Sequence, residues 1–291
     1  MGGKKKGGGG KGKGKGAAPD EDDVSMDNFF KFYKRKCTEL EVAQSPIIKD
    51  KQELWQDEQE IPTKFHIWTE LGWPGTRALM DALVMAKYQH CQSIRLWKAF
   101  CEDEGVRAIC QYLEVNKSVA FLELLDNNIT PLGCEFLGKA LHPKQGSQIQ
   151  ILKLDHNCFG GDGIMALSEG LAVNPTLRML SLTYCCIGPE GAEAIFEILI
   201  YTKSALEEVN LSGNVLKNDG VVKVLQGVSI AKNLKKILLA DNQFSDEEKV
   251  MMALEFCMTK NDKLGRYDLK FNNIGEQGKC LEARHVAASG S

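Results

Sequence analysis

The chain has 291 residues, of which 26% are charged and 43% apolar, and its formal net charge is −3. That length suits one sizeable domain rather than two large independent ones. No apolar run approaches the roughly 20 residues of a membrane-spanning helix, and no hydrophobic segment follows the basic start as a signal peptide would require. A soluble intracellular protein is expected, with its ten cysteines held as reduced thiols.

The charge is unevenly spread. The first 16 residues hold six lysines (Lys4, Lys5, Lys6, Lys11, Lys13 and Lys15), nine glycines and no acid, leaving 30 basic against 39 acidic residues in the remainder. Glycine at this density buries too little apolar area to order itself, so residues 1–24, with the acidic patch Asp20–Asp23, read as a disordered tail. The tail is either a solubilising extension or an electrostatic tether to a polyanion such as nucleic acid, an anionic membrane or a microtubule surface. Lys6 stands where an N-myristoylation signal needs Ser or Thr, so lipidation is not expected.

Residues 25–75 read as an N-terminal helical cap. Asp27 is placed as the cap of a first helix carrying Phe29, Phe30, Phe32 and Tyr33, which Pro46 ends. Leu54, Trp55, Ile61, Phe65, Ile67 and Trp68 follow without a clear period. The turn Gly72-Trp73-Pro74-Gly75 then leads into a helix with Leu79, Leu83 and Ala86 on one stripe.

From residue 76 to 291 one spelling recurs. Val119–Ile129, Ile149–Phe159, Leu177–Ile187, Leu206–Leu216, Leu234–Phe244 and Leu264–Ile274 share L-x-x-L-x-L-x-x-N-x-L at a spacing of 28 to 30 residues. Their anchors are Asn127, Asn157, Cys185, Asn214, Asn242 and Asn272; a weaker seventh copy, Cys91–Cys101, has Ala99 there. Alternate leucines such as Leu152 and Leu154 point inward from a strand. The asparagine amide satisfies backbone groups of its own and the neighbouring turn, so Cys185 should leave a local irregularity. Between strands, Gly133, Phe136, Leu137, Ala140 and Leu141 typify a helical stripe whose small members let the helix approach the strand layer.

These copies resemble the ribonuclease-inhibitor-like class of leucine-rich repeats, also found in Ran GTPase-activating proteins and NOD-like receptors. The resemblance covers about Leu71 to Leu281 and implies an α/β solenoid of about seven repeats, a curved arc with parallel strands inside and helices outside. It leaves function open among inhibitors, GTPase activators and scaffolds.

Chemistry finds no address. There is no Walker or dinucleotide glycine loop, no serine elbow and no C-x-x-C pair with zinc-site spacing. Asp155-His156 is the nearest acid–imidazole pair, but neighbours on a strand face opposite ways. No enzyme activity, cofactor, metal or small-molecule substrate is expected.

Binding has an address on the concave face. The residues flanking the inward leucines form three columns, built from Ser93, Arg95, Trp97; Phe121, Glu123, Leu125; Ile151, Lys153, Asp155; and Met179, Ser181, Thr183. Neighbouring strands lie about 4.8 Å apart, so Trp97, Phe121, Leu125, Ile151 and Met179 are expected side by side on a wet surface. Such a patch marks a contact site or is covered by the protein's own N-terminal segment; partner contact is the preferred reading. Glu208, Lys236, Arg266, Asp268 and Lys270 make the far half of the face charged.

The expected function is a non-catalytic protein-interaction scaffold. Glycine–lysine openings of this kind are similar to those of axonemal proteins, and ribonuclease-inhibitor-like repeats occur in the nexin–dynein regulatory complex. A cilium or flagellum axoneme is therefore the expected assembly and location. A small-GTPase regulator and a nucleic-acid adaptor using the tail are the alternatives; a tail of lysines reads no bases, so sequence-specific nucleic-acid binding is not expected.

Overall fold

Alternation of buried and exposed residues over three to five positions, then an apolar helical stripe, produces one strand and one helix per repeat. The computed structural model describes residues 21–275; the tail lysines, and Cys280, lie outside them. Its first elements are α1 (Glu21–Glu39), α2 (Pro46–Glu58), β1 (Lys64–Ile67), α3 (Gly72–Met85), β2 (Ser93–Trp97) and α4 (Glu102–Val115). Next come β3 (Phe121–Leu125), α5 (Pro131–Leu141), β4 (Ile151–Lys153), α6 (Gly160–Leu171), β5 (Met179–Ser181) and α7 (Ala192–Ile200). The chain continues through β6 (Glu208–Asn210), α8 (Lys217–Ile230), β7 (Lys236–Leu238), α9 (Glu248–Lys260) and β8 (Arg266–Asp268). Each strand pairs parallel with the next, giving one eight-stranded sheet in sequence order.

The expected α/β leucine-rich-repeat solenoid is the observed one. Helices pack in chain order from α3 to α9 on the outer layer. Between the layers, Leu124, Leu152, Leu154, Leu182, Leu211 and Leu239 are all fully buried, each contributing about 1.5–3 kcal/mol relative to exposure.

The asparagines form the ladder that holds successive turns. Asn157 accepts the N–H groups of Asn127 (2.9 Å) and Ile129 (3.1 Å) on its Oδ1, while its Nδ2 donates to Leu124 (2.7 Å) and Leu154 (2.8 Å) carbonyls. Asn214 repeats the pattern with Cys185, Ile187, Leu182 and Leu211. A second ladder, at the helix exits, joins Asn116 to Tyr88, Asn174 to Leu141 and Asn261 to Val228 through their Nδ2 donors. Its spelling, an Asn three residues before the first apolar residue of each copy, is present at 116/119, 174/177 and 261/264.

Several expectations are revised. The sheet begins one strand earlier than the weakest copy, because Lys64 to Ile67 pair with Ser93 to Leu96; four residues with no asparagine after them leave little pattern. Asp27 sits inside α1, where its carboxylate accepts the Trp55 indole N–H at 3.3 Å, and does not cap the helix. Pro46 starts α2 rather than ending the first helix. The helix glycines serve helix–helix contact: a Cβ on Gly170 would lie 2.0 Å from the Gly138 carbonyl oxygen of the neighbouring helix. Finally, Cys158 and Cys186 are not free thiols; they are joined in a disulfide, because one repeat of the coil places them on adjacent turns.

The start of the solenoid is closed by α1. Phe29 packs against Phe30, Phe65 and Tyr88 with ring centroids 4.9, 5.7 and 5.6 Å away. The Tyr33 hydroxyl accepts the Ser45 N–H at 2.9 Å, and burial pushes its pKa up. These aromatic groups cover the end of the coil at β1 and α3.

Candidate interaction surface

Strand register builds the concave face in three rows. The first runs Ser93, Phe121, Ile151, Met179, Glu208, Lys236 and Arg266. The second runs His66, Arg95, Glu123, Lys153, Ser181, Asn210, Leu238 and Asp268. Trp97 and Leu125 are partners in the third.

These rows are the columns expected from the strand spacing. Phe121, Ile151 and Met179 occupy the first row and Trp97 and Leu125 the third, with a charged row between them. Trp97 is 54% and Phe121 41% exposed. Leu125, Ile151 and Met179 are half-buried. The aromatic residues Phe29, Phe30 and Tyr33 are spent at the end of the coil, so α1 does not cover Trp97 or Phe121.

Strand spacing already placed Arg95, Glu123 and Lys153 in one row; the enclosure of its acid is what spacing did not reveal. Glu123 is only 6% exposed. Arg95 pairs with one carboxylate oxygen through Nε, and Lys153 reaches the other at 3.1 Å. Burial works against the carboxylate, but the hydrogen bonds from Lys153 and Arg95 outweigh it and hold the Glu123 carboxyl below its usual range. Next to it, His66 Nε2 bonds Ser93 Oγ at 2.9 Å. Burial first, then the positive neighbours Arg95, Lys51 and Lys64, depress its pKa. Two cations share one enclosed anion, so the row presents residual positive charge between two apolar rows.

Further along, Asp155 Oδ1 accepts from the hydroxyls of Ser181 (2.6 Å) and Thr183 (2.8 Å) and from the Thr183 N–H (2.8 Å). His156 turns away, exposed, and stacks on Tyr184 at 5.0 Å, so the two neighbours do not form an acid–imidazole pair. Glu208 and Lys236 pair at 2.6 Å in the charged half. On the rim beside the strand starts, Gln150, Thr176, Arg178, Glu207, Lys235 and Lys263 line a groove of about 610 Å³. Glu207 is held below its usual range by hydrogen bonds from Lys235 and Arg178.

Among the described residues, no group of three or more His, Cys, Asp or Glu is placed to hold a metal ion. No helix among them is long and apolar enough to cross a membrane.

Comparison with known proteins agrees with this architecture. The family described as Leucine Rich repeat matches residues 149–168, 173–196 and 203–225. NACHT, LRR and PYD domains-containing protein 13 of Homo sapiens is 31% identical over 160 residues, covering 54% of this chain and 15% of that protein. The ribonuclease inhibitor of Mus musculus is 24% identical over 217 residues, covering 64% of this chain and 47% of the inhibitor. The tropomodulin C-terminal domain of Caenorhabditis elegans aligns with a TM-score of 0.47 and 15% identity, over 54% of this chain and 92% of that one. The match thus spans less than half the length of either curated relative. Inward leucines, paired strands, asparagine ladders and the matched repeats together make this chain a leucine-rich repeat solenoid, with repeats similar to those of ribonuclease inhibitor and of the NACHT, LRR and PYD proteins.

Proposed function

We propose that this protein is a non-catalytic interaction scaffold and a structural component of a ciliary or flagellar axoneme, in the cytoplasmic and cytoskeletal compartment. The observation that carries the scaffold reading is the concave row Arg95–Glu123–Lys153 set between exposed Trp97 and Phe121. The enclosed ion pairs hold the floor of the face rigid, and the two aromatic side chains stand ready to be buried by a partner. A preformed surface lowers the ordering cost of binding, since only the partner is immobilised. The axonemal part rests on the Lys/Gly composition of the tail and on the family resemblance. A lysine tail would add a second, salt-sensitive contact to an acidic surface.

The test uses the tagged full chain in ciliated cells extracted with detergent. Retention with the axoneme, released only by strong salt, supports the proposal; quantitative release into the soluble fraction removes the axonemal reading and brings a GTPase-activation assay forward. The double substitution Trp97→Ala/Phe121→Ala should keep the melting temperature within about 1–2 °C, because both side chains are exposed, and should lose retention. Unchanged retention would move the contact off the concave face.

A further inference from the structure

The seven free cysteines among the described residues are all buried. Burial pushes the Cys91, Cys101 and Cys257 thiols up to about 12. Thiols in that state are protonated and unreactive at neutral pH. Cys158 and Cys186 differ: both are exposed on consecutive turns, and they are bonded to each other. Their separation of 28 residues is one repeat, and their Cα atoms are 5.1 Å apart. That distance is close to the spacing of neighbouring strands and inside the range a disulfide bridges, so the register of the coil brings the two sulfurs together without distortion of the chain.

The bond falls where the asparagine ladder fails. An Asn at position 185 would collect the Phe159 N–H, as Asn157 collects that of Ile129 and Asn214 that of Ile187. With Cys185 there, the Phe159 N–H turns to the Asn157 carbonyl at 2.8 Å. The Cys185 sulfur still takes backbone hydrogen bonds from Asn157 and His156 and donates to the Leu154 (3.4 Å) and Thr183 (3.5 Å) carbonyls, but it does not collect the Phe159 N–H. On the residue before the anchor, His156 and Tyr184 stack across the same step; on the residue after it, Cys158 and Cys186 bond. The missing rung is bracketed by two other links.

We propose that Cys158 and Cys186 form a reversible thiol–disulfide site, exchanging with low-molecular-weight disulfides of the glutathione type, whose closure clamps the turns after β4 and β5 in place of the rung lost at Cys185. One cysteine thiolate attacks a sulfur of the small disulfide, forming a mixed disulfide and releasing one small thiolate. The second cysteine thiolate attacks the protein sulfur of that mixed disulfide and expels the other small thiolate. Two cysteine thiols are oxidised, one small disulfide is reduced to two thiols, and the two cysteine protons end on the released thiols. In a reducing cytosol the pair stands open; a shift to an oxidising poise closes it. The clamp joins the strands that carry Lys153 and Met179, so closure stiffens the middle of the concave face.

The experiment equilibrates the full chain in glutathione buffers of graded poise, traps the thiols by alkylation, and reads linked peptides by mass spectrometry. The same samples are followed by amide hydrogen exchange. The expected result is a Cys158–Cys186 linked peptide that appears as the poise becomes oxidising and disappears on reduction. Amides of residues 154–160 and 182–188 should then exchange on the order of tenfold more slowly in the oxidised form. Cys185→Asn, which restores the rung, should shrink that difference. A chain that never yields the linked peptide, or exchanges equally in both forms, overturns the site; a Cys185→Asn variant with the full wild-type difference overturns its role as a replacement rung. The wild-type comparison needs no variant to fold.

Discussion

Arg95 and Glu123 are register partners on adjacent strands, and the arginine Nε bonds a carboxylate that is almost enclosed by the sheet and its neighbours. Lys153 closes the other side of the carboxylate. An acid between two bases on three successive repeats fixes the spacing of the strands and the charge of the face together.

Replacing Glu123 by Gln leaves two cations facing each other without an anion, and should cost about 1–3 kcal/mol near neutral pH. The pH dependence follows from the direction of its shift. Its folded-state carboxyl lies below the usual range, so its stabilising effect is complete above the unfolded value of about 4.3 and is lost as pH falls through the folded value. Urea midpoints of wild type and Glu123→Gln should stay separated at neutral pH and converge in acid. A gap that persists unchanged in acid would contradict the paired carboxylate.

Asn157→Ala removes five hydrogen bonds and orphans backbone groups on its own turn and on the preceding one; a loss of about 2–4 kcal/mol is expected. Asn242 is a weaker rung, since its Oδ1 has no partner among the described residues. Chemical denaturation should therefore rank Asn157→Ala as the more damaging of the two.

Phe29→Ala should open the covered end of the coil. The ring is fully buried among Phe30, Phe65 and Tyr88, and its loss should cost about 3–5 kcal/mol. Because repeats contact only their neighbours, hydrogen exchange should accelerate first at β1 and α3 and least at β7 and β8. Uniform acceleration along the whole sheet would argue against local closure by α1.

Gly170→Ala should destabilise despite the higher helix propensity of alanine. The new Cβ would meet the Gly138 carbonyl oxygen at 2.0 Å and its carbon at 2.9 Å, backbone atoms that no rotamer change can move. A net loss of about 1–3 kcal/mol is expected, against a near-neutral Gly265→Ala, where nothing lies within 4 Å. Thermal unfolding of the two variants side by side decides it.

The regular part of the chain was legible one repeat at a time. Inward residues such as Leu152, Leu154 and Leu211 alternate within a few positions, and Asn127, Asn157 and Asn214 follow them at fixed offsets, so strand, turn and inner face could be assigned from local pattern. Strand β1 was not legible, because Lys64–Ile67 is short and lacks the asparagine that punctuates the others. The second ladder through Asn116, Asn174 and Asn261 had a spelling, but one that falls at the helix exits rather than beside the leucine pattern.

Period, inward face and the residues of each concave row are all written in the local pattern of the chain. The enclosure of Glu123 beside exposed Trp97 and Phe121, and the bond between Cys158 and Cys186, came only with the folded coil. The reason is physical. Inward and outward orientation is set by successive Cβ positions along one strand, whereas burial of a side chain, pairing of charges and contact between sulfurs depend on neighbours about one repeat away in sequence and about 5 Å away in space.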